Sequence, residues 1–187
     1  MRLHYGFDSL PAIENPVVTI GSFDGVHLGH AALLGEVVAE ARRCNGRSVV
    51  VTFSPHPREV LPGGGEFRLL TTLERKAQLL EAQGVDELVV VEFTREFAAL
   101  TSEEFVRDFL VAKLGMRSLV VGYNHRFGHD RDVAADHFEQ LGQRYNFKVH
   151  RASAFTFEGS KISSSVIRRL LERGDVAEAE RLLGHKL

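Results

Sequence analysis

The sequence has one cysteine, Cys44, which excludes an internal disulfide and any multi-cysteine zinc site. It has no charge excess either. The net charge is -2 with both signs interspersed, so there is no broad basic footprint for nucleic acid and no polybasic patch for a membrane. A polyanionic ligand must then be held locally. No apolar run approaches the roughly 20 residues needed to cross a bilayer, and the opening "MRLHYGFDSL" lacks the apolar core of a signal peptide. The cytoplasm is the expected home. Internal repeats and low-complexity linkers are also missing. With 44% apolar and 26% charged residues among 187, one globular domain with a real core is expected.

Apolar runs of about five to seven residues alternate with stretches of helical period, the pattern of successive βα units. Five strands are expected, near 16–23, 47–53, 85–93, 116–123 and 147–152. Helices are expected between them at 28–44, 72–83, 101–114 and 132–144, then at 163–184 with a break at Gly174. Thr71 or Thr72 and the Thr101-Ser102-Glu103-Glu104 capping box supply N-caps. With right-handed crossovers the fold class is α/β: a Rossmann-like, doubly wound, mostly parallel five-stranded sheet with helices on both faces. Its ligands should sit beyond the carboxyl ends of the strands. The loop "LPGGGEF" (61–67) lies on that side.

The stretch "VTIGSFDGVHLGH" (18–30) runs from a strand through three glycines into a helix. Glycines let a backbone approach a ligand, and a helix N-terminus favours an anion. His27 and His30, at i and i+3, fall on one side of the first turn and can direct N–H donors to one phosphate. A plain βα turn with two structural histidines, or a metal held by them, would use the same residues. A second anion site is suggested by "KISSSVIRRL" (161–170), where Ser163, Ser164 and Ser165 precede a helix carrying Arg168 one turn on. A Ser-capped helix with a solvated arginine face is the alternative there.

"GSFDGVHLGH" resembles the H-x-G-H signature of the nucleotidyltransferase superfamily. In its ten-residue form it resembles the FAD synthetase module of prokaryotic bifunctional riboflavin kinase/FMN adenylyltransferases. "ISSSVIR" is similar to the motif that partners H-x-G-H in that superfamily. "VTFSPHPREVL" (51–61) resembles the F-D-P-H-P segment, with Ser54 for the usual Asp, and "VGYNHRFGHDR" (121–131) resembles a G-x-D/N-F-x-F-G loop, with His125 where an aromatic is common.

The resemblance, which covers nearly the whole chain, implies transfer of AMP from ATP to FMN, giving FAD and pyrophosphate. It implies catalytic roles for His27, His30 and Arg168, and ATP contacts from Gly21, Ser22, Phe23, Asp24, Gly25, Gly29 and Ser163 to Ser165. FMN would lie against Pro55, Pro57, Asn124 and Phe127, with Mg²⁺ arriving on ATP and Asn124 as its candidate protein ligand. The family places a riboflavin kinase module after a segment like "GDVAEAERLLG" (174–184). That module is expected in a full-length form, and residues 1–187 form the nucleotidyltransferase domain alone. Transfer to another phosphomonoester, or flavin-nucleotide binding without turnover, are the competing functions.

Overall fold

The apolar runs form strands because their alternate side chains are buried on opposite faces of one sheet. In the computed structural model, which describes residues 1–62, 67–122 and 136–187, Pro16–Ile20 (β2) is buried at every position. Arg47–Ser54 (β3), Glu87–Glu92 (β4), Ser118–Val121 (β5) and Lys148–Arg151 (β6) follow in chain order. Val49 and Val51 join one core with Phe105, Val106 and Leu110, whereas Val50 joins Leu34 and Leu80 in the other. Each such aliphatic side chain contributes about 1.5–3 kcal/mol on burial.

The sheet has six strands where five were expected. Arg2–Tyr5 (β1) adds to the edge and pairs in parallel with β4, giving the order β1-β4-β3-β2-β5-β6, parallel throughout. An edge strand needs no apolar run. Leu3 and Tyr5 are exposed, and the strand is held by the ladder and by Arg2 and His4. Both side chains reach the buried Glu87 carboxylate, His4 Nε2 at 2.8 Å.

Eight helices, α1 to α8, are found among the described residues: Leu28–Arg43, Pro57–Val60, Leu73–Ala82, Arg95–Ala98, Ser102–Phe105, His137–Tyr145, Ser164–Glu172 and Val176–Leu183. The two short ones at 57–60 and 95–98 were not expected. The segment expected as a helix over 101–114 begins as α5 behind its Thr101 capping box, then widens into a π-helix over Val106–Val111. Helix α1 carries Leu34, Val37, Val38 and Ala41 on its buried face. Helices α7 and α8 bury Ile167, Ala179 and Leu183 against each other and against Leu70.

From β2 the chain winds through β3 to β4 in one direction, while β5 and β6 lie on the other side of β2. The topological switch is therefore between β2 and β5, and the crevice beyond their carboxyl ends is where an open α/β sheet binds ligands. Among the described residues no helix is long and apolar enough to cross a membrane.

Candidate active site

At that switch point lies a cavity of about 510 Å³, lined by Ser22, His27, His30, Ser163, Ser164, Ser165 and Arg168, with His56, Arg58, Gly122 and Ile162. The two motifs, more than 130 residues apart in sequence, form two sides of one space.

His27 is the N-cap of α1. Its Nδ1 accepts the His30 amide at 3.2 Å. Since an amide can only donate, Nδ1 holds the lone pair and the proton of the neutral ring is on Nε2. Burial lowers the pKa of this 5% exposed ring to about 4, so at neutral pH it is a neutral donor. The His30 ring stacks on it, with centroids 3.6 Å apart and planes 13° from parallel, and meets Phe23 edge-on at 5.1 Å.

The glycines of the loop serve its shape. The Gly21 amide donates to the Val51 carbonyl at 3.0 Å, and the Gly25 amide to Thr71 Oγ1 at 3.1 Å. Gly25 has φ +83°, and a Cβ there would stand 2.8 Å from Leu70 Cδ1, so both conformation and space demand glycine. Phe23 is buried and also has positive φ, +47°, a conformation that costs a bulky residue and that surrounding contacts must sustain. Gly29 lies against the His27 ring, where a Cβ would come to 3.2 Å.

Asp24 is fully buried. It accepts the amides of Leu70 at 2.9 Å and Thr71 at 3.2 Å, and it pairs with Arg168 Nη2. It holds three chain segments together and does not line the cavity. Arg168 also donates Nε–H to the Arg68 carbonyl at 2.9 Å and lays its guanidinium 4.3 Å from the Phe67 ring centroid. Two of the five N–H groups of a guanidinium are thus committed, in a fixed orientation. Ser163 caps α7 by accepting the Val166 amide at 3.3 Å, which leaves its hydroxyl proton free for another acceptor, and Ser164 donates to the Asp24 carbonyl at 2.9 Å. The Asp24 segment is therefore tied twice to α7.

Pro55 and Pro57 flank the cavity residue His56 without lining the cavity, and Asn124 and Phe127 lie outside the described residues. Sequence reading passed over His56 and Arg58. Nδ1 of His56 accepts the Arg58 amide at 3.1 Å, so the neutral ring donates from Nε2, and burial holds its pKa at about 4. The ring stacks on Phe67 at 4.5 Å, and Arg58 approaches the same ring at 5.0 Å. The available signal was a histidine between two prolines at the carboxyl end of a strand.

Among the described residues no three His, Cys, Asp or Glu side chains gather as a metal site, and no carboxylate lines the cavity. This donor set suits anions. Among the described residues it offers magnesium no carboxylate, which suits an ion that arrives on the nucleotide and keeps several waters.

Residues 10–166 match the family model for FAD synthetase. The chain is 40% identical over 187 residues to a bifunctional riboflavin kinase/FMN adenylyltransferase of Escherichia coli, covering 99% of this chain and 60% of that protein. It is 38% identical over 170 residues to an FAD synthetase of Listeria monocytogenes, covering 90% of this chain and 68% of that one. A crystal structure titled as a macrolide-efflux protein from Streptococcus pneumoniae superposes with a TM-score of 0.84 at 28% identity, over 99% of this chain and 60% of that one. The chain thus spans about 60% of the length of the bifunctional relative. A family match over most of the chain, together with the two motifs facing each other across one cavity, shows that this chain belongs to the FAD synthetase family.

Proposed function

We propose that this chain is an FMN adenylyltransferase, transferring AMP from ATP to FMN with release of pyrophosphate. The observation that carries the reading is the single cavity lined by the neutral His27 ring, with His30 stacked on it, and by serines and an oriented arginine. It is a site for polyphosphate, and the relatives' names supply the acceptor.

In the reaction an FMN phosphate oxygen attacks the α-phosphorus of ATP. A new P–O bond forms, the bond from the α-phosphorus to the α,β-bridging oxygen breaks, and pyrophosphate leaves with that electron pair. A phosphate monoester with a second pKa near 6 is already largely dianionic at neutral pH, so no strong general base is needed. What remains is positioning and charge stabilisation. Nε2–H of His27, with His30 stacked beside it, is proposed to meet the α-phosphate oxygens. Ser163 to Ser165 and Arg168 would hold the β,γ-phosphates and the departing pyrophosphate. His56 and Arg58, on the remaining wall, are added as candidate contacts to the FMN phosphate, with Pro55, Pro57, Asn124 and Phe127 toward the flavin. Mg²⁺ would arrive on ATP, with Asn124 as its proposed protein ligand. Residues 1–187 act in this reading as the adenylyltransferase domain. A riboflavin kinase module in a full-length form, a cytoplasmic home and the absence of nucleic-acid partners belong to the same proposal.

The test is formation of FAD from FMN, ATP and Mg²⁺, with nicotinamide mononucleotide and phosphopantetheine as competing acceptors. FAD and pyrophosphate should appear in equal amounts with FMN alone. Pyrophosphate release with another acceptor but not with FMN would overturn the acceptor. Tight FAD binding with no turnover would overturn the reaction.

A further inference from the structure

Lys76 on α3 is a buried lysine that the proposed reaction does not use. It is 4% exposed. Among the described residues its hydrogen-bond partner is the Thr52 hydroxyl, at 3.4 Å, and no carboxylate forms an ion pair with it. A buried ammonium held by one neutral hydroxyl costs stability. Its surroundings give it a direction. The Thr52 hydroxyl, accepting from Lys76, donates at 3.2 Å to the carbonyl of Ser22, which lines the cavity. The next residue is Phe23 with its positive φ, so the hydrogen-bond chain ends on the peptide where the loop leaves ordinary backbone conformation. Burial lowers the Lys76 pKa while the Asp24 and Glu59 carboxylates favour its charged form, and it acts through space on His56, which lines the same cavity.

We infer that Lys76 is a positioning residue for the triphosphate: a cation kept beneath the cavity, which fixes the Ser22–Phe23 turn through Thr52 and raises the potential that a polyanion meets. Asp24 is already paired with Arg168, and Glu59 accepts the His56 amide at 2.7 Å, so each nearby carboxylate is engaged elsewhere. A bound polyphosphate brings further negative charge to a lysine whose nearby carboxylates are committed to other partners. The inference rests on the polyphosphate part of the proposed function and not on the identity of the acceptor.

Lys76→Met removes the charge at similar volume, and Lys76→Gln removes the charge while keeping a donor for Thr52. The probe is inorganic tripolyphosphate, titrated calorimetrically into the full chain at low salt, with ligand-free thermal unfolding measured alongside. Both variants should bind tripolyphosphate about tenfold more weakly, the order expected of one cation acting on a polyanion at the effective dielectric of a protein. The ligand-free midpoint of the Met variant should stay level or rise, because a desolvated charge has gone. A merely structural lysine would give the opposite pair: a lower midpoint with affinity within about twofold of the parent, which overturns the inference. If the Met variant does not fold, the Gln variant decides by the same affinity criterion, and failure of both to fold overturns it as well. Because tripolyphosphate binding needs neither FMN nor turnover, this result stands apart from the FAD assay.

Discussion

His27 caps α1, and substitution can separate that cap from the donor role proposed for its ring. Its Nδ1 caps α1 through the His30 amide at 3.2 Å, and the neutral, buried ring, which lines the cavity, carries its N–H on Nε2. His27→Ala removes both. Loss of the cap costs about 0.5–2 kcal/mol of stability, and the space left by the ring adds to that, so the unfolding midpoint should fall by several degrees at roughly 2–4 °C per kcal/mol for a domain of this size. Loss of one preorganised donor to the transition state costs about 2.7–4 kcal/mol, or roughly 10²–10³ in kcat. His27→Asn keeps a side-chain acceptor for the His30 amide, since Asn is among the best N-caps, but it cannot place a donor where Nε2 stands. Its stability should lie within about 1 kcal/mol of the parent, while its kcat falls as far as that of the Ala variant. The measurements are urea unfolding and initial rates of FAD formation at saturating ATP. If His27→Asn forms FAD within about threefold of the parent rate, the imidazole is only a cap and the catalytic assignment fails.

Two further outcomes follow from the same cluster. Asp24→Asn leaves Arg168, a mostly buried cation, without its anion, and should cost about 3–5 kcal/mol by calorimetry; the Asp24→Asn, Arg168→Met double variant should recover part of this, and equal instability of single and double variants would refute the pairing. In acid, a ring whose pKa is about 4 folded and 6.5 free contributes stability that is complete above pH 6.5 and lost as pH falls to 4, about 3 kcal/mol for His27. Urea unfolding of the parent should track that loss, His27→Asn should reduce it to the part that His56 contributes over the same window, and a parent curve already flat between pH 6.5 and 4.5 would contradict the neutral, buried rings.

The central strands were legible because burial on both faces demands continuous aliphatic runs, as in Val49 to Val51 and Leu88 to Val91. β1 was not, since an edge strand with Leu3 and Tyr5 in solvent obeys no such demand. The two halves of the cavity were legible as motifs, because glycine, histidine and hydroxyl spacing reflects local chemistry. What spacing could not convey is which donors the fold itself uses. The glycine amides read as a ligand cradle turn inward to Val51 and Thr71, and Asp24 turns to Leu70, Thr71 and Arg168. Those are contacts between residues 30 to 144 positions apart, and nothing local encodes them. Lys76 has the same origin. On the sequence it is one more polar residue in an amphipathic helix, and only the packing of α3 places it against Thr52, behind the Ser22 carbonyl.

The Asp24–Arg168 pair spans 144 residues. During synthesis at about 5–20 residues per second, the H-x-G-H loop therefore exists for roughly 7–30 s before its arginine has been made. For that interval the Asp24 carboxylate lacks Arg168 and its carbonyl lacks the Ser164 hydroxyl. A ribosome-bound chain stopped before α7 carries every residue of the first motif and yet lacks the far wall of the cavity. In the proposed reading, nucleotide capture is thus a late event in biogenesis, and retention of a nascent chain on immobilised ATP is the expected sign that the last helices have docked.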